Sequence, residues 1–250
     1  MTRAQQPTAG HMISVNGIDL YYEKYGKGDP LLLLHGWTQT SEFWKPYVDH
    51  FESEYEVFSI DLRGHGRSTP LSKDFSIQVT ARDMGELIQK LQLKSVRAIG
   101  FSFGGLVLLE LAVHNKEMIR DMVVIASSYQ YDGSKAQKAK PAFTYENLDS
   151  SFKASLTQQH IHGENQIRAM FDPKLDYRIN LTEVQLEKLQ TRVLIINGDS
   201  DEIADIKQAV AMRQLIPRST LLIIPNTGHL AINEANKDLF ISTTKTFFAQ

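Results

Sequence analysis

Apolar residues along this chain fall into two alternating kinds of segment. Short, nearly continuous apolar runs occur at 30–36 (PLLLLHG), 55–60 (YEVFSI), 96–99 (VRAI), 122–128 (MVVIASS), 191–198 (TRVLIING) and 219–225 (STLLIIP). Each is too short for a helix and too apolar for a strand with one wet face, which predicts strands buried on both sides of a sheet. Between the runs, apolar residues recur at helical spacing. Phe43, Trp44, Tyr47, Val48 and Phe51 predict a helix over 41–51, and Ile77, Ala81, Met84, Ile88 and Leu91 an amphipathic helix over 76–92. Further helices are expected after residue 105, at 205–215 and at 234–249. Near the start, Ile13–Val15 and Leu20–Tyr22 flank Asn16-Gly17, a hairpin signal. Strands alternating with helices require crossover connections, so the fold class is α/β, a mostly parallel sheet of about eight strands flanked by helices.

The alternation breaks between Tyr129 and Gln190. This stretch carries no buried strand pattern, only polar runs (DGSKAQKAK, expected as a solvated face) and helical patterns near 147–159, 164–171 and 182–190. A segment that long is an insertion rather than a loop. The expected organisation is therefore a core of 12–128 and 191–250, with 129–190 as a small helical cap inserted after the sixth strand. The cap's apolar side chains (Phe143, Tyr145, Phe152, Met170, Phe171) are too scattered for a core of their own. They are expected over the C-terminal edge of the sheet, where open α/β sheets bind ligands. Residues 1–11, polar and unpatterned, are expected to be a tag or disordered leader outside the fold.

Composition narrows the function. A net charge of −2 gives no electrostatic reason to expect nucleic acid as partner. No apolar run approaches the ~20 residues of a membrane span. The absence of cysteine removes disulfides, thiolate metal sites and a cysteine nucleophile together, and suits a reducing, cytoplasmic location.

Candidate chemistry centres on AIGFSFGG at 98–105, where Ser102 falls on a strand-to-helix turn tight enough to need Gly100 and Gly104 beside it. A serine hydroxyl is a weak nucleophile. It needs a base, a group that orients the base, and donors for the developing oxyanion. His229 follows the last strand on a glycine loop. Asp201 follows the preceding strand, with Asp199 and Asp205 beyond that same strand and Asp132 after an earlier one. His160 and His162 (HIHG) lack a third ligand for a metal site and are expected to be exposed.

Four motifs, each after an expected strand, are similar to those of the α/β-hydrolase superfamily: HGW at 35–37, DLRGHGRS at 61–68, GFSFGG at 100–105, and NGDSD…GH between 197 and 229. The resemblance covers essentially all of 13–249, with 129–190 in the place of the family's variable cap. It implies that Ser102 is the nucleophile, His229 the general base and Asp201 the orienting carboxylate, in the family's chain order. It also implies an oxyanion hole from the backbone N–H groups of Trp37 and Phe103. His35 would shape the oxyanion turn, His65 would be structural, and Arg63 would brace its loop. The family commonly shows proline three residues after the acid. Here that position is Ala204, which keeps Asp199 open as an alternative.

The resemblance implies a carboxylesterase that uses no cofactor or metal and acts on a small-molecule ester, with monomer and dimer both open. Trp37, Phe103, Tyr129, Met170 and Phe171 are the expected substrate-binding residues of an apolar acyl pocket. HGW with VVIASS is also similar to the methyl ester esterases that release pimeloyl carrier protein. Alternatives with the same triad are C–C bond hydrolases, enol-lactone hydrolases and perhydrolases. A different class would be a small-molecule receptor with slow turnover.

Overall fold

A computed structural model describes residues 9–132, 144–172 and 174–250. Phe143, most of the DGSKAQKAK run and residues 1–8 lie outside them. The chain opens with a hairpin, β1 (Ala9–Val15) and β2 (Ile18–Tyr25), turning at Asn16-Gly17. β3 (Asp29–Leu34), β4 (Tyr55–Asp61), β5 (Val96–Phe101), β6 (Ile119–Ile125), β9 (Arg192–Gly198) and β10 (Ser219–Ile224) complete an eight-stranded sheet in the order β1-β2-β4-β3-β5-β6-β9-β10. β1 and β2 pair antiparallel with each other, and β2 pairs antiparallel with β4; every other pairing is parallel.

The four leucines of β3 show why its run is continuous. Leu32 and Leu34 enter the core on one face, Leu31 and Leu33 the core on the other, and all four are fully buried. Burying each such side chain is worth about 1.5–3 kcal/mol. The first face is covered by α2 (Ile77–Lys90), α3 (Phe103–His114) and α7 (Ile206–Leu215). The second is covered by α1 (Lys45–Val48) and α8 (Lys237–Phe248). Among the described residues no helix is long and apolar enough to cross a membrane.

Three expectations need correction. β1 begins at Ala9, so residues 9–11 lie inside the sheet, where they pair with Tyr22–Lys24 and the His11 ring stacks on Tyr22 at 5.0 Å. The single helix expected over 41–51 is a 3-10 turn (Ser41–Trp44), capped by the Thr40 side chain, followed by the one-turn α1. The spacing was informative all the same, since Trp44, Tyr47, Val48 and Phe51 are all buried. Between β6 and β9 come the helices α4 (Ser150–Gln159), α5 (Glu164–Met170) and α6 (Glu183–Glu187), close to the expected ranges. A ribbon the sequence pattern did not show brackets α4 and α5: β7 (Gln130–Tyr131) pairs antiparallel with β8 (Ile179–Asn180). Two residues per strand are too few to carry a period-2 signal.

Candidate active site

Ser102 joins β5 to α3 with φ +49° and ψ −112°, a conformation that costs a non-glycine residue about 1–3 kcal/mol and must be held by its surroundings. Those surroundings are specific. The Ser102 N–H donates to the Ile125 carbonyl at 2.8 Å, and Ser127 Oγ donates to the Ser102 and Ile125 carbonyls, each at 3.0 Å. Gly104 presses against β3, where a Cβ would stand 2.3 Å from the Leu34 carbonyl oxygen. From there the Gly104 N–H donates to the His35 carbonyl at 3.1 Å, tying the serine turn to the loop after β3.

The loops after β9 and β10 bring the other groups. His229 Nε2 lies 2.9 Å from Ser102 Oγ, and its Nδ1 lies 3.0 and 3.1 Å from the two Asp201 oxygens. These loops can approach because Gly198 has no side chain; a Cβ there would meet the Thr227 carbonyl at 2.1 Å. Asp201 Oδ1 also accepts the N–H groups of Ile203 and Ala204, both at 2.8 Å. A proline at 204 would have no such N–H, so the departure from the family pattern adds a hydrogen bond to this carboxylate. Asp199 points elsewhere: it accepts from Thr227 N–H and Ser200 Oγ, and the Asn226 backbone, ahead of these two contacts, holds its carboxyl below the usual range. Asp205 caps α7 through the Lys207 N–H. Asp132 lies just after β7, and the carboxylate that meets His229 Nδ1 is that of Asp201.

Around Ser102 two backbone donors stand free. Neither the Trp37 N–H nor the Phe103 N–H has a hydrogen-bond partner among the described residues, and Phe103 opens α3, where the positive end of the helix dipole lies. Trp37 sits in a turn closed by Gln39 N–H to the Gly36 carbonyl at 3.2 Å, and the next residue, Thr38, has φ +65°. For a β-branched residue that is a genuine outlier. The Trp37 ring meets His65, Phe103 and Tyr177 edge to face, with centroids 4.6, 5.1 and 4.6 Å away.

The remaining expected substrate-binding residues are dispersed. Tyr129 is buried in the core at the exit of β6. Met170 is buried and reaches Trp37 through its carbonyl, which accepts from Trp37 Nε1 at 3.1 Å and from the Tyr177 hydroxyl at 2.8 Å. Phe171 is half-buried, 6.5 Å from the Tyr145 ring.

Among the other histidines, His35 is fully buried. It bonds the Gly36 carbonyl through Nδ1 and accepts the Leu62 N–H at Nε2, so it is neutral, and burial pushes its pKa down to about 3. His65 is likewise buried and held well below its usual range. Arg63 braces its loop through a buried bidentate pair with Asp83 on α2, at 2.7 and 2.9 Å. His162 is exposed as expected, but His160 is not: it is fully buried between the cap and the loops after β3 and β4. His160 was expected at the surface, and neither Tyr177 nor Ser127 was singled out from the sequence, because the contacts of His160 with Gly66 and Thr38, of Tyr177 with Trp37 and of Ser127 with Ser102 join distant parts of the chain.

Comparison with known proteins bears on the family and the fold. The sequence profile of the alpha/beta hydrolase fold matches residues 29–160 and 128–235. The chain is 23% identical to the pimeloyl-[acyl-carrier protein] methyl ester esterase of Aliivibrio fischeri, over 92% of this chain and 98% of that one. It is 33% identical to the (E)-2-((N-methylformamido)methylene)succinate hydrolase of Acinetobacter baylyi, over 46% of this chain and 44% of that one. Among solved structures, an esterase from a Rhodococcus species superposes with a TM-score of 0.75 at 22% identity, covering 96% of this chain and 98% of the other.

Proposed function

Because this chain belongs to the alpha/beta hydrolase fold family, we propose that it hydrolyses carboxylic esters through an acyl-enzyme on Ser102. The observation that carries this reading is the unbroken chain Asp201–His229–Ser102, with contacts of 3.0 and 2.9 Å. With Asp201 accepting the Nδ1–H, His229 presents a basic Nε2 to the serine hydroxyl, the tautomer a general base needs. Ser102 Oγ attacks the ester carbonyl as its proton passes to Nε2. The carbonyl oxygen becomes an oxyanion, stabilised by the free N–H groups of Trp37 and Phe103. His229 then gives that proton to the departing alcohol, and the acyl-enzyme remains. Water, deprotonated by the same nitrogen, opens the acyl-enzyme and releases the acid.

The aromatic walls beside the serine (Trp37, Phe103) suit an apolar acyl group. The near full-length likeness to a methyl ester esterase supports a small alcohol as the leaving group. The test is steady-state hydrolysis of p-nitrophenyl acetate, butyrate and octanoate, together with fluorophosphonate labelling mapped by mass spectrometry. Turnover with the label on Ser102 supports the reading. A folded protein that neither turns over esters nor takes the label would overturn it.

A further inference from the structure

The segment 160–170 of the cap grips both loops that flank the proposed oxyanion hole. On the loop after β4, the Gly66 N–H donates to His160 Nδ1 at 2.8 Å, the Gly66 carbonyl accepts from the Ile161 N–H at 3.3 Å, and Gln166 Nε2 donates to the Gly64 and Gly66 carbonyls, both at 3.1 Å. On the loop after β3, His160 Nε2 bonds the Thr38 carbonyl at 3.1 Å and the Met170 carbonyl receives the Trp37 indole N–H. His160 is fully buried, and the Gly66 donor settles its tautomer: Nδ1 must accept, so the proton is on Nε2 and is donated to Thr38.

Thr38 is the strained residue of the turn that aims the Trp37 N–H. Strain of that kind persists only where neighbours over-determine the conformation. The turn's own bonds are few: Gln39 N–H to the Gly36 carbonyl, Gly36 N–H to Gln39 Oε1, and Thr38 Oγ1 to the Trp37 carbonyl. None of these anchors the Thr38 carbonyl from outside. His160 does.

We propose that His160 is a positioning residue for the oxyanion hole: by donating from Nε2 to the Thr38 carbonyl it holds the strained turn in which the Trp37 N–H faces the reacting carbonyl. This rests on the ester-hydrolase reading above. It makes the cap part of the catalytic geometry as well as a source of the expected substrate contacts.

Two substitutions separate the two bonds of His160. A Gln side chain can place its amide nitrogen where Nε2 stands and keep the bond to Thr38. An Asn side chain is shorter, can place its oxygen where Nδ1 stands, and keeps only the bond from Gly66. On p-nitrophenyl acetate, too small to depend on cap contacts, His160→Asn is expected to lower kcat at least about tenfold relative to His160→Gln, with KM within about twofold, since misplacing a reacting group by about 1 Å costs on the order of a hundredfold. Solvent exchange of the Trp37 indole N–H, read by NMR, is expected to quicken in the Asn variant and not in the Gln variant. Equal kcat in the two variants, or Trp37 exchange that is the same in both, would overturn the proposal. If the unsubstituted protein hydrolyses no ester, the ester reading fails and the exchange measurement alone decides this one. If neither variant folds, imidazole nitrogen shifts in the unsubstituted protein decide: a proton on Nε2 of His160 supports the proposal, and a proton on Nδ1 ends it.

Discussion

His229 Nε2 stands 2.9 Å from Ser102 Oγ, a contact between residues 127 positions apart in the chain. Two different strand ends produce it, β5 with its strained turn and the loop that leaves β10, and both lie at the C-terminal edge of the parallel sheet. If this contact carries the chemistry, Ser102→Ala should lower ester turnover by on the order of 10⁶ while the fold survives, because the residues tied to the turn are bonded through main-chain atoms. Thermal melting with the activity assay checks it. A folded variant with most of its activity would remove Ser102 from the mechanism.

The acid is decided by geometry in the same way. Asp201→Asn should cut kcat by about 10⁴, since an amide cannot hold His229 in the required tautomer. Asp199→Asn should leave kcat within a few-fold and act on stability instead, through the bond to the Thr227 N–H. The reverse ranking in kcat would transfer the role to Asp199.

How much of this was legible beforehand follows the range of the interactions. The β3 leucines, the glycines around Ser102 and the Asn16-Gly17 turn are local patterns, and each predicted its element. Ser102, Asp201 and His229 could be named as candidates because each sits in a motif at a strand end and the four motifs together resemble one family's pattern, with Asp199 still open beside Asp201. His160 could not. In HIHG it looks like a polar surface residue, and its burial depends on Gly66, 94 positions earlier, and Thr38, 122 positions earlier. Tyr177 and the β7–β8 ribbon were hidden for the same reason, as was the pairing of residues 9–11, which needs Tyr22–Lys24 opposite them.

Packing against β3 makes Gly104 a sharp test of the turn. An alanine Cβ would meet the Leu34 carbonyl oxygen at 2.3 Å and its carbon at 2.6 Å, main-chain atoms of a central strand that cannot swing aside. Gly104→Ala should therefore cost about 3 kcal/mol in a denaturant titration and displace Ser102 in whatever fraction still folds. A melting curve unchanged from the parent would show that the strand and turn are less closely packed than the structure has them.

Buried neutral histidines give the stability a pH dependence. His35, His65 and His160 are each pushed down by burial, His35 to about 3. Above pH ~6.5, the ordinary histidine value, they are neutral folded or unfolded and their contribution is complete. As pH falls below that, the unfolded chain takes up protons that the folded one refuses, and stability drops by up to about 1.4 kcal/mol per pH unit for each histidine until its folded pKa is reached. Asp61 and Glu110, raised by burial, act with the opposite sign, so the histidine share is best read as a difference. Urea midpoints between pH 7.5 and 5 should fall less steeply for His160→Gln than for the parent. Parallel lines would mean that His160 titrates in the folded state as it does in the unfolded one.

Within the cap, Phe171 should behave unlike His160. It follows Met170, is half-buried, and has its ring near Tyr145, which Arg168 and Lys153 cover at 4.1 and 5.1 Å. The bonds from the cap to the Trp37 turn come from His160 and the Met170 carbonyl, and truncating Phe171 leaves them in place. If its ring lines the acyl site, Phe171→Ala changes the room available to the chain and leaves the oxyanion donors alone. A methylene more or less in such a pocket is worth about 1–3 kcal/mol. The variant should shift the preferred p-nitrophenyl ester by two or more carbons while hydrolysis of the acetate stays within about threefold. Loss of rate on acetate and octanoate alike would place Phe171 with His160, among the residues that shape the reacting centre, and would leave the acyl wall to other side chains.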